Sequence, residues 1–266
     1  MDRTYWQKQT PEKPLFDEII WGKPQRKNLA GNLLIIGGNS HAIAAPSEAY
    51  KIAINQGIGE CKVAMPDATR KLLGPKPPPN IDLFASNPSG SFSTKAIDEL
   101  KNDITWATAT LAAGDIGKSS ETAILFDKLM ALPGLQAYTA DAADDFAASP
   151  LPILRRKDTL LVLEMPQLQK FALNAKLSHP FTHDMDLLQL VDRLHEFTNL
   201  FKCHILMHHK NHIIAASGGQ VVSTKFETVP SNWKVMFAAA ATVWWLQNPS
   251  QAIKSIATAV TQLELS

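Results

Sequence analysis

The sequence predicts an α/β fold, a three-layer α/β/α sandwich around a mostly parallel central sheet. Short apolar segments of strand length alternate with longer segments of helical spacing. The apolar segments end in small or polar residues, as Leu33–Gly37 does, and such runs are typical of parallel strands buried on both faces. Near the C-terminus, short strands separated by turns at Lys210-Asn211 and Gly218-Gly219 predict a β-meander, followed by two helices.

The N-terminal half divides into an arm and the start of the sheet. Residues 1–24 contain prolines at 11, 14 and 24 and predict an irregular N-terminal arm, so that residues 25–266 form a single domain. The predicted strands are Leu33–Gly37, Cys61–Ala64, Ile81–Ala85 and Thr105–Ala112. The predicted helices are Ser47–Asn55, with Ser47 as N-cap, and Ser93–Asn102, while four prolines in 73–80 predict a loop.

The second half has the clearest helical pattern of the chain. In the predicted helix Thr182–Phe201, apolar residues recur at helical spacing. Another helix is predicted from Ser119, with Glu121 close behind, to Ala131. The remaining predicted elements are the strands Leu135–Thr139, Thr159–Leu163, Cys203–Met207, His212–Ala216 and Val221–Thr224 and the helices 235–246 and 249–263.

Composition excludes several classes of protein. The 266 residues are 45% hydrophobic and 19% charged, which suits a packed core. A net charge of +1 provides no bulk attraction to nucleic acid or an anionic membrane. No apolar run is long enough to span a membrane and the N-terminus lacks a signal peptide, so we expect a cytoplasmic protein. Cys61 and Cys203 are expected to be reduced and buried, with a disulfide as the less favoured alternative.

The carboxyl ends of the strands are expected to surround one crevice. The segments placed there are Gly37–His41, Gly114–Gly117, Asp141 and the loop 228–234. Gly37, Gly38, Asn39 and His41 are candidates to bind a phosphate or amide group, although glycines also serve a tight strand-to-helix turn. The same alternatives apply to Gly114, Asp115 and Gly117, and Asp115 would repel a phosphate unless a metal ion lies between them.

The order of several segments resembles a known family. Residues 34–40 (Leu-Ile-Ile-Gly-Gly-Asn-Ser) and 44–46 (Ala-Ala-Pro) are followed by 54–59 (Ile-Asn-Gln-Gly-Ile-Gly) and 113–117 (Ala-Gly-Asp-Ile-Gly). Glu121-Thr122, 139–142 (Thr-Ala-Asp-Ala), 207–209 (Met-His-His) and 213–215 (Ile-Ile-Ala) continue the series. Together they resemble the ADP- or ATP-dependent NAD(P)H-hydrate dehydratases of the ribokinase-like superfamily. The resemblance covers residues 25–265 and implies a ribokinase-like fold.

The chain departs from that family at the residues that carry chemistry. The family's Gly-Ser-Gly-Asp loop aligns with 230–233 (Pro-Ser-Asn-Trp), which places Trp233 at the position of the catalytic Asp. Ser231 and Asn232 remain candidates for the ligand, but proline removes one backbone donor. The family's His-Pro-Gly-Glu turn aligns with 165–168 (Met-Pro-Gln-Leu), and His208 replaces a phosphate-side lysine. Of the family's acidic pair, Asp141 matches.

The resemblance and these departures together imply a dehydratase-like protein that is inactive and retains nucleotide or dinucleotide binding. The implied ligands are ATP or ADP with Mg²⁺, and NAD(P)H or its hydrate, and family members often form homo-oligomers. One alternative is an active lyase or small-molecule kinase in which Glu164, Glu227 or His208 supplies the base. The other alternative is an interaction protein whose pocket is filled by apolar residues.

Three further clusters have two interpretations each. His204, His208, His209 and His212 could converge on a metal ion, but we favour ordinary edge or pocket histidines, since His204 and His208 share one strand face and His209 the other. Asp141 could position a substrate hydroxyl or water, or only cap the segment that follows it, and we favour a solvated acidic surface for the patch of Asp141, Asp144 and Asp145. Trp244 and Trp245, in an Ala-rich helix, are interpreted as core or subunit interface.

Overall fold

The structure is a computed structural model that describes residues 3–263, and its centre is one ten-stranded sheet. The strands are β1 (Trp6–Gln9), β2 (Asn32–Gly37), β3 (Glu60–Pro66), β4 (Ile81–Phe84), β5 (Ala109–Gly114), β6 (Leu135–Thr139), β7 (Thr159–Leu163), β8 (His204–His209), β9 (His212–Ser217) and β10 (Gln220–Lys225). Their order across the sheet is β1-β10-β9-β8-β7-β6-β5-β2-β3-β4.

Helices cover both faces of this sheet. They are α1 (Asp17–Trp21), α2 (Ala44–Asn55), α3 (Arg70–Leu73), α4 (Ile97–Trp106), α5 (Ser120–Met130), α6 (Asp141–Asp144), α7 (Leu151–Leu154), α8 (Met165–Asn174), α9 (Leu187–Leu200), α10 (Trp233–Gln247) and α11 (Ala252–Thr261). Short 3₁₀ turns occupy Lys27–Leu29, Asp67–Thr69, Thr94–Ala96 and Pro249–Gln251.

The direction of the strands decides where a ligand site can lie. The seven strands from β4 to β8 in the sheet order are parallel, and β9 alone runs against its two neighbours. The ends of β2, β5, β6, β7 and β8 therefore meet at one edge, called here the carboxyl edge, and their beginnings form the amino edge. In open parallel sheets, ligands bind at the carboxyl edge.

Alternating side chains of the strands feed two separate cores. In β2, Leu34 and Ile36 belong to the core beneath α4, α5, α8 and α9, while Leu33 and Ile35 belong to the core beneath α2, α10 and α11. This alternation follows from the two-residue period of a strand. The predicted three-layer α/β/α architecture is thus confirmed.

Most predicted elements are present, and the largest differences lie at helix ends. β7 and the β-meander occur where predicted, and Gly218 and Gly219 have φ values of +53° and +78°, as a tight hairpin turn requires. The predicted helix 182–201 begins only at Leu187. The Asp186 carboxylate accepts the Gln189 N–H at 2.8 Å and the Gln189 side chain accepts the Asp186 N–H at 3.0 Å, which completes a capping box.

Several predicted boundaries were wrong. The strand predicted at 105–112 is displaced, because α4 continues to Trp106 and β5 spans Ala109–Gly114. α2 begins three residues before Ser47, α10 begins at Trp233 rather than at 235, and a 3₁₀ turn precedes α11. Residues 165–168, predicted as a turn, form the start of α8, since a proline is tolerated in the first turn of a helix.

The N-terminal arm is not irregular throughout. β1 pairs in parallel with β10 and extends the sheet by one strand. Gln9 is 5% exposed and its side-chain amide donates to Thr224 Oγ1 at 2.9 Å and to the Ala257 carbonyl at 2.8 Å. Arg3 and Tyr5 both bond the Asp192 carboxylate on α9, at 2.8 and 2.6 Å. The arm is therefore an integral part of the sheet.

Both cysteines are free thiols, Cys203 buried and Cys61 partly buried. Burial raises the pKa of each thiol to about 12, so both stay protonated and unreactive at neutral pH. None of the helices described between residues 3 and 263 has the length and apolar character needed to cross a membrane.

Candidate functional site

Two turns at the carboxyl edge are bonded to each other. Gly38 N–H donates to the Gly114 carbonyl at 3.1 Å, and the Asn39 amide donates to the Asp115 carbonyl at 2.6 Å. The Asn39 side-chain oxygen accepts the backbone N–H of the exposed His41 at 2.8 Å. The predicted proximity of Gly37–His41 and Gly114–Gly117 is thus observed, and Asn39 is engaged in holding the two turns together.

Asp115 occupies the position where an anion would meet the N-terminus of α2. Its carboxylate accepts the Ala45 N–H, in the first turn of α2, at 2.8 Å. A carboxylate at a helix N-terminus satisfies free N–H groups and interacts favourably with the helix dipole. The Asp115 carboxylate therefore fills the anion position at the N-terminus of α2, which explains why an acid follows Gly114 here.

Gly114 is required by both conformation and space. Its φ of +108° lies in a region that side chains avoid, and a Cβ atom there would lie 2.8 Å from the Ala140 Cβ. At Gly117, φ is +72° and a Cβ would lie 2.5 Å from Ser91 Oγ. The glycines therefore allow the two turns and the start of α6 to approach closely.

Asp141, Asp144 and Asp145 line a pocket of 430 Å³, the aspartate pocket, with residues 117–120 and Ala123. Asp141 Oδ2 accepts the Gly117 N–H at 3.1 Å. Among the described residues, Asp141 Oδ1 and Asp145 Oδ2 are buried without a hydrogen-bond partner. The prediction of a solvated acidic surface was therefore wrong for two of the three, because α6 turns their carboxylates inward.

Burial raises the pKa values of these two carboxyl groups. The pKa of Asp145 rises to about 6, through desolvation and the nearby charges of Asp141 and Asp144. The pKa of Asp141 is raised by desolvation and by Asp115, against the opposing hydrogen bond from Gly117. Either carboxyl group can therefore hold a proton at a higher pH than an exposed aspartate.

A second pocket of 490 Å³, the tryptophan pocket, opens at the ends of β7 and β8. Its lining residues are Glu164, Met165, Pro166, His183, His208, His209, Lys210 and Trp233. Trp233 is only 5% exposed and packs within the core beneath α10, and its ring centre lies 5.5 Å from that of His208. The residue aligned with the family's catalytic Asp thus forms an apolar wall of the pocket.

The candidate substitute bases are arranged around this wall. Glu164 Oε1 forms an ion pair with Lys234 Nζ at 2.8 Å. His208 Nε2 hydrogen-bonds the Lys210 carbonyl, and because a carbonyl only accepts, Nε2 carries the proton. Glu227 is exposed, as are Ser231 and Asn232, and Asn232 makes no side-chain cap to α10.

The four histidines separate as their strand positions predict. His204 and His208 contact residues of α10, Trp245 and Trp233, whereas His209 lies opposite His212 across the hairpin. Desolvation lowers the pKa values of His204, His209 and His212. The described part of the chain contains no group of three or more His, Cys, Asp or Glu side chains that could hold a metal ion.

Gln167 lies between the two pockets and bonds residues of both, a role that the sequence did not indicate. Its amide donates to the Ala140 carbonyl at 2.9 Å and to Asp144 Oδ1 at 2.8 Å. Its side-chain oxygen accepts the Glu164 N–H at 3.0 Å. The predicted single crevice is thus two pockets side by side. His183, which also lines the tryptophan pocket, was likewise missed, since only the fold brings it to this edge.

Trp244 and Trp245 are core residues, each 1% exposed. Trp244 Nε1 donates to Gln56 Oε1 at 2.7 Å. Of the two interpretations left open, core and subunit interface, the structure supports the first.

Comparison with solved structures identifies the fold. A ribokinase-like superfamily protein from Enterococcus faecalis V583 matches with a TM-score of 0.75 and 14% identity, over 98% of this chain and 87% of that one. The ADP/ATP-dependent NAD(P)H-hydrate dehydratase from Bacillus subtilis, co-crystallized with ATP/Mg²⁺, matches with a TM-score of 0.62 and 10% identity, over 93% and 86%. The pyridoxal kinase from Staphylococcus aureus in complex with AMP-PCP matches with a TM-score of 0.55 and 12% identity, over 86% and 85%.

No protein-family model and no curated protein matches the sequence. At 10–14% identity the structural matches establish the fold alone. The chain has the ribokinase-like fold that its segment order predicts.

Proposed function

We propose that this chain is a dehydratase-like protein of the ribokinase-like fold that lacks catalytic activity and binds the phosphate groups of a nucleotide in the tryptophan pocket. The observation that carries the proposal is the buried Trp233 at the position aligned with the family's base. An indole N–H donates a hydrogen bond but accepts no proton, so this residue cannot serve as a general base.

The neighbouring carboxylates do not replace the missing base in this proposal. Glu164 is held by Lys234 at 2.8 Å, and Glu227 is exposed on the segment before α10. A general base must reach the proton that it removes within hydrogen-bond distance, and a small displacement is enough to abolish most of its effect. Glu164 serves here as the counter-ion of Lys234.

The charges around the tryptophan pocket support binding of an anion. Lys210 and three histidines line it, and Lys234 reaches it through Glu164, which is the single acid of the lining. His209 Nε2 is buried and has no hydrogen-bond partner among the described residues. The N-terminus of α10 adds free N–H groups beside Trp233. Phosphate oxygens are suitable acceptors for all of these groups.

Thermal unfolding of the purified chain with ATP, ADP, NADH and NADPH, each with and without Mg²⁺, tests binding. A ligand that binds only the folded state raises the unfolding temperature in a concentration-dependent way. We expect a shift with a nucleotide that weakens in Lys234→Gln. Lys101→Gln is the matched control, because Lys101 is also ion-paired, to Asp98 at 3.1 Å, but lies on α4. No shift with any nucleotide would contradict the binding proposal.

A dehydration assay on the hydrate of NADH or NADPH tests inactivity. We expect no turnover by the wild-type chain or by Trp233→Asp, because one carboxylate in an apolar wall does not rebuild the loop that Pro230 and Asn232 have altered. Turnover by the wild type would contradict the proposal. If Glu164→Gln, Glu227→Gln or His208→Ala then abolished it, the alternative of an active enzyme with a rearranged base would be supported.

A second candidate function is an interaction protein with a filled pocket. This candidate is supported by the burial of apolar side chains: Met165 is 6% exposed, Leu168 is fully buried and Trp233 is nearly so. Their burial contributes stability in proportion to the apolar area removed from water. A chain that bound no nucleotide but remained stable without ligand would favour this candidate.

A further inference from the structure

A separate pocket lies at the amino edge of the sheet. This amino pocket has a volume of 510 Å³ and is lined by residues 157–158, His204, Ser217, Trp245 and 249–254. β8 begins in it, at His204, and ends in the tryptophan pocket, at His209. Five residue steps at about 3.3 Å each place the two histidines about 17 Å apart. The amino pocket is therefore distinct from the site discussed above.

One residue of the amino-pocket lining, Trp245, carries a buried hydrogen-bond donor for which residues 3–263 provide no acceptor. Trp245 is 1% exposed, and its Nε1 has no partner among the described residues. The adjacent Trp244 is equally buried, yet its Nε1 has Gln56 Oε1 at 2.7 Å. Buried polar groups are nearly always paired, so an unpaired N–H beside a cavity points to a missing acceptor.

His204 lies beside Trp245 in the lining of the amino pocket. His204 is 9% exposed, lies with its ring centre 4.9 Å from that of Trp245, and binds Ser217 Oγ through Nδ1 at 2.7 Å. Desolvation lowers the pKa of His204 to about 4, so the ring is neutral at pH 7.

The N-terminus of α11 faces the same cavity. Its first residues, from Ala252, line the pocket, and Gln251 provides no side-chain cap. Free N–H groups at a helix N-terminus favour an anion. Two lysines stand at the rim, Lys157 and Lys254, of which Lys254 is paired with Glu18 at 2.8 Å. Asp158 is the single acid of the lining and limits the charge that the pocket can accept.

We propose that the amino pocket binds a small carboxylate-bearing molecule, whose oxyanion accepts hydrogen bonds from Trp245 Nε1 and from the N-terminus of α11. A monoanionic carboxylate suits the balance of one unpaired lysine against Asp158. The proposal is independent of nucleotide binding in the tryptophan pocket, because no residue is shared between the two linings.

Titration of ¹⁵N-labelled protein with sodium acetate at constant ionic strength tests this site. The indole resonance of Trp245 is assigned as the one lost in Trp245→Phe, which keeps an aromatic side chain and removes the N–H. We expect that resonance to shift with a saturable curve while the resonance of Trp244 stays in place. A linear or absent response of Trp245 would overturn the proposal, as would saturation by inorganic phosphate without any saturation by acetate.

Two variants of the amino-pocket lining and one control variant separate loss of ligand recognition from loss of stability. Affinity for acetate, measured by calorimetry, is expected to fall at least about tenfold in Trp245→Phe. Trp244→Phe, the control at an equally buried neighbour with a satisfied N–H, should keep wild-type affinity. Lys157→Gln, at an exposed position that does not threaten folding, should also weaken binding. Equal affinity in the wild type, Trp245→Phe and Lys157→Gln would overturn the proposal.

Discussion

Replacement of Trp233 by Ala measures whether the side chain at the position aligned with the family's base is part of the core. The indole is 5% exposed and belongs to the apolar cluster beneath α10, so its removal leaves a cavity. Truncation of a buried Trp costs about 3–5 kcal/mol of unfolding free energy. Urea unfolding followed by circular dichroism gives that value, provided that the dependence on urea concentration stays the same in both proteins.

Trp21→Ala is the matched control, because Trp21 is 85% exposed on α1. Its removal should change the free energy of unfolding by no more than about 0.5 kcal/mol. A loss below about 1 kcal/mol for Trp233→Ala would refute the reasoning, since this cost is typical of a side chain outside a packed core. In that case the indole would project into an open crevice, and the interpretation of a filled pocket would fail.

Three further substitutions test other parts of the structure. Asp145→Asn should stabilise the protein at pH 7.5 but not at pH 4. The pKa of the Asp145 carboxyl is raised from its ordinary value to about 6, so between these two pH values the folded state holds a proton that the unfolded chain has lost. The free energy of unfolding of the wild type therefore falls as pH rises from the ordinary aspartate pKa to about 6. The measurement is urea unfolding across this pH range, and equal effects at both pH values would contradict the assignment. Gly114→Ala should lower the free energy of unfolding by about 2 kcal/mol more than Gly134→Ala. Both glycines have a positive φ, but of the two only Gly114 would bring a Cβ atom to 2.8 Å from the Ala140 Cβ. Equal unfolding midpoints of the two variants would show that the turn at Gly114 relaxes. Gln9→Ala should cost about 1–3 kcal/mol in the same assay, since it leaves buried partners unpaired, while the exposed Gln7→Ala should be neutral. Equal losses would mean that β1 is not anchored through Gln9.

The parts of the fold that the sequence predicted correctly are those governed by local pattern. β2 and β7 are continuous apolar runs because both of their faces are covered by helices. The meander was predictable because glycine pairs mark tight turns. β1 was missed for the opposite reason: Trp6–Gln9 has no apolar pattern, and its place depends on backbone pairing with β10, over two hundred residues away.

For the candidate site, too, the sequence predicted some features and missed others. Chain order alone predicted that the turns after β2 and β5 meet Asp141 at one edge. It did not predict that Asp115 would cap α2, that α6 would bury the Asp141 and Asp145 carboxylates, or that Gln167 would divide the crevice. Each of these depends on which atoms approach from another element, information that is not contained in local spacing.

By itself, the sequence predicted the ribokinase-like layering and the carboxyl edge as the candidate site, and its resemblance to the dehydratases aligned Trp233 with the position of their base. Only the tertiary structure decided that Trp233 is an inward-packed wall and that Glu164 is paired with Lys234. It also decided that, within residues 3–263, Trp244 has an acceptor for its indole N–H and the adjacent, equally buried Trp245 has none. The physical reason is that backbone pattern follows from residues near in sequence, whereas burial, charge pairing and hydrogen-bond satisfaction depend on groups brought together by folding.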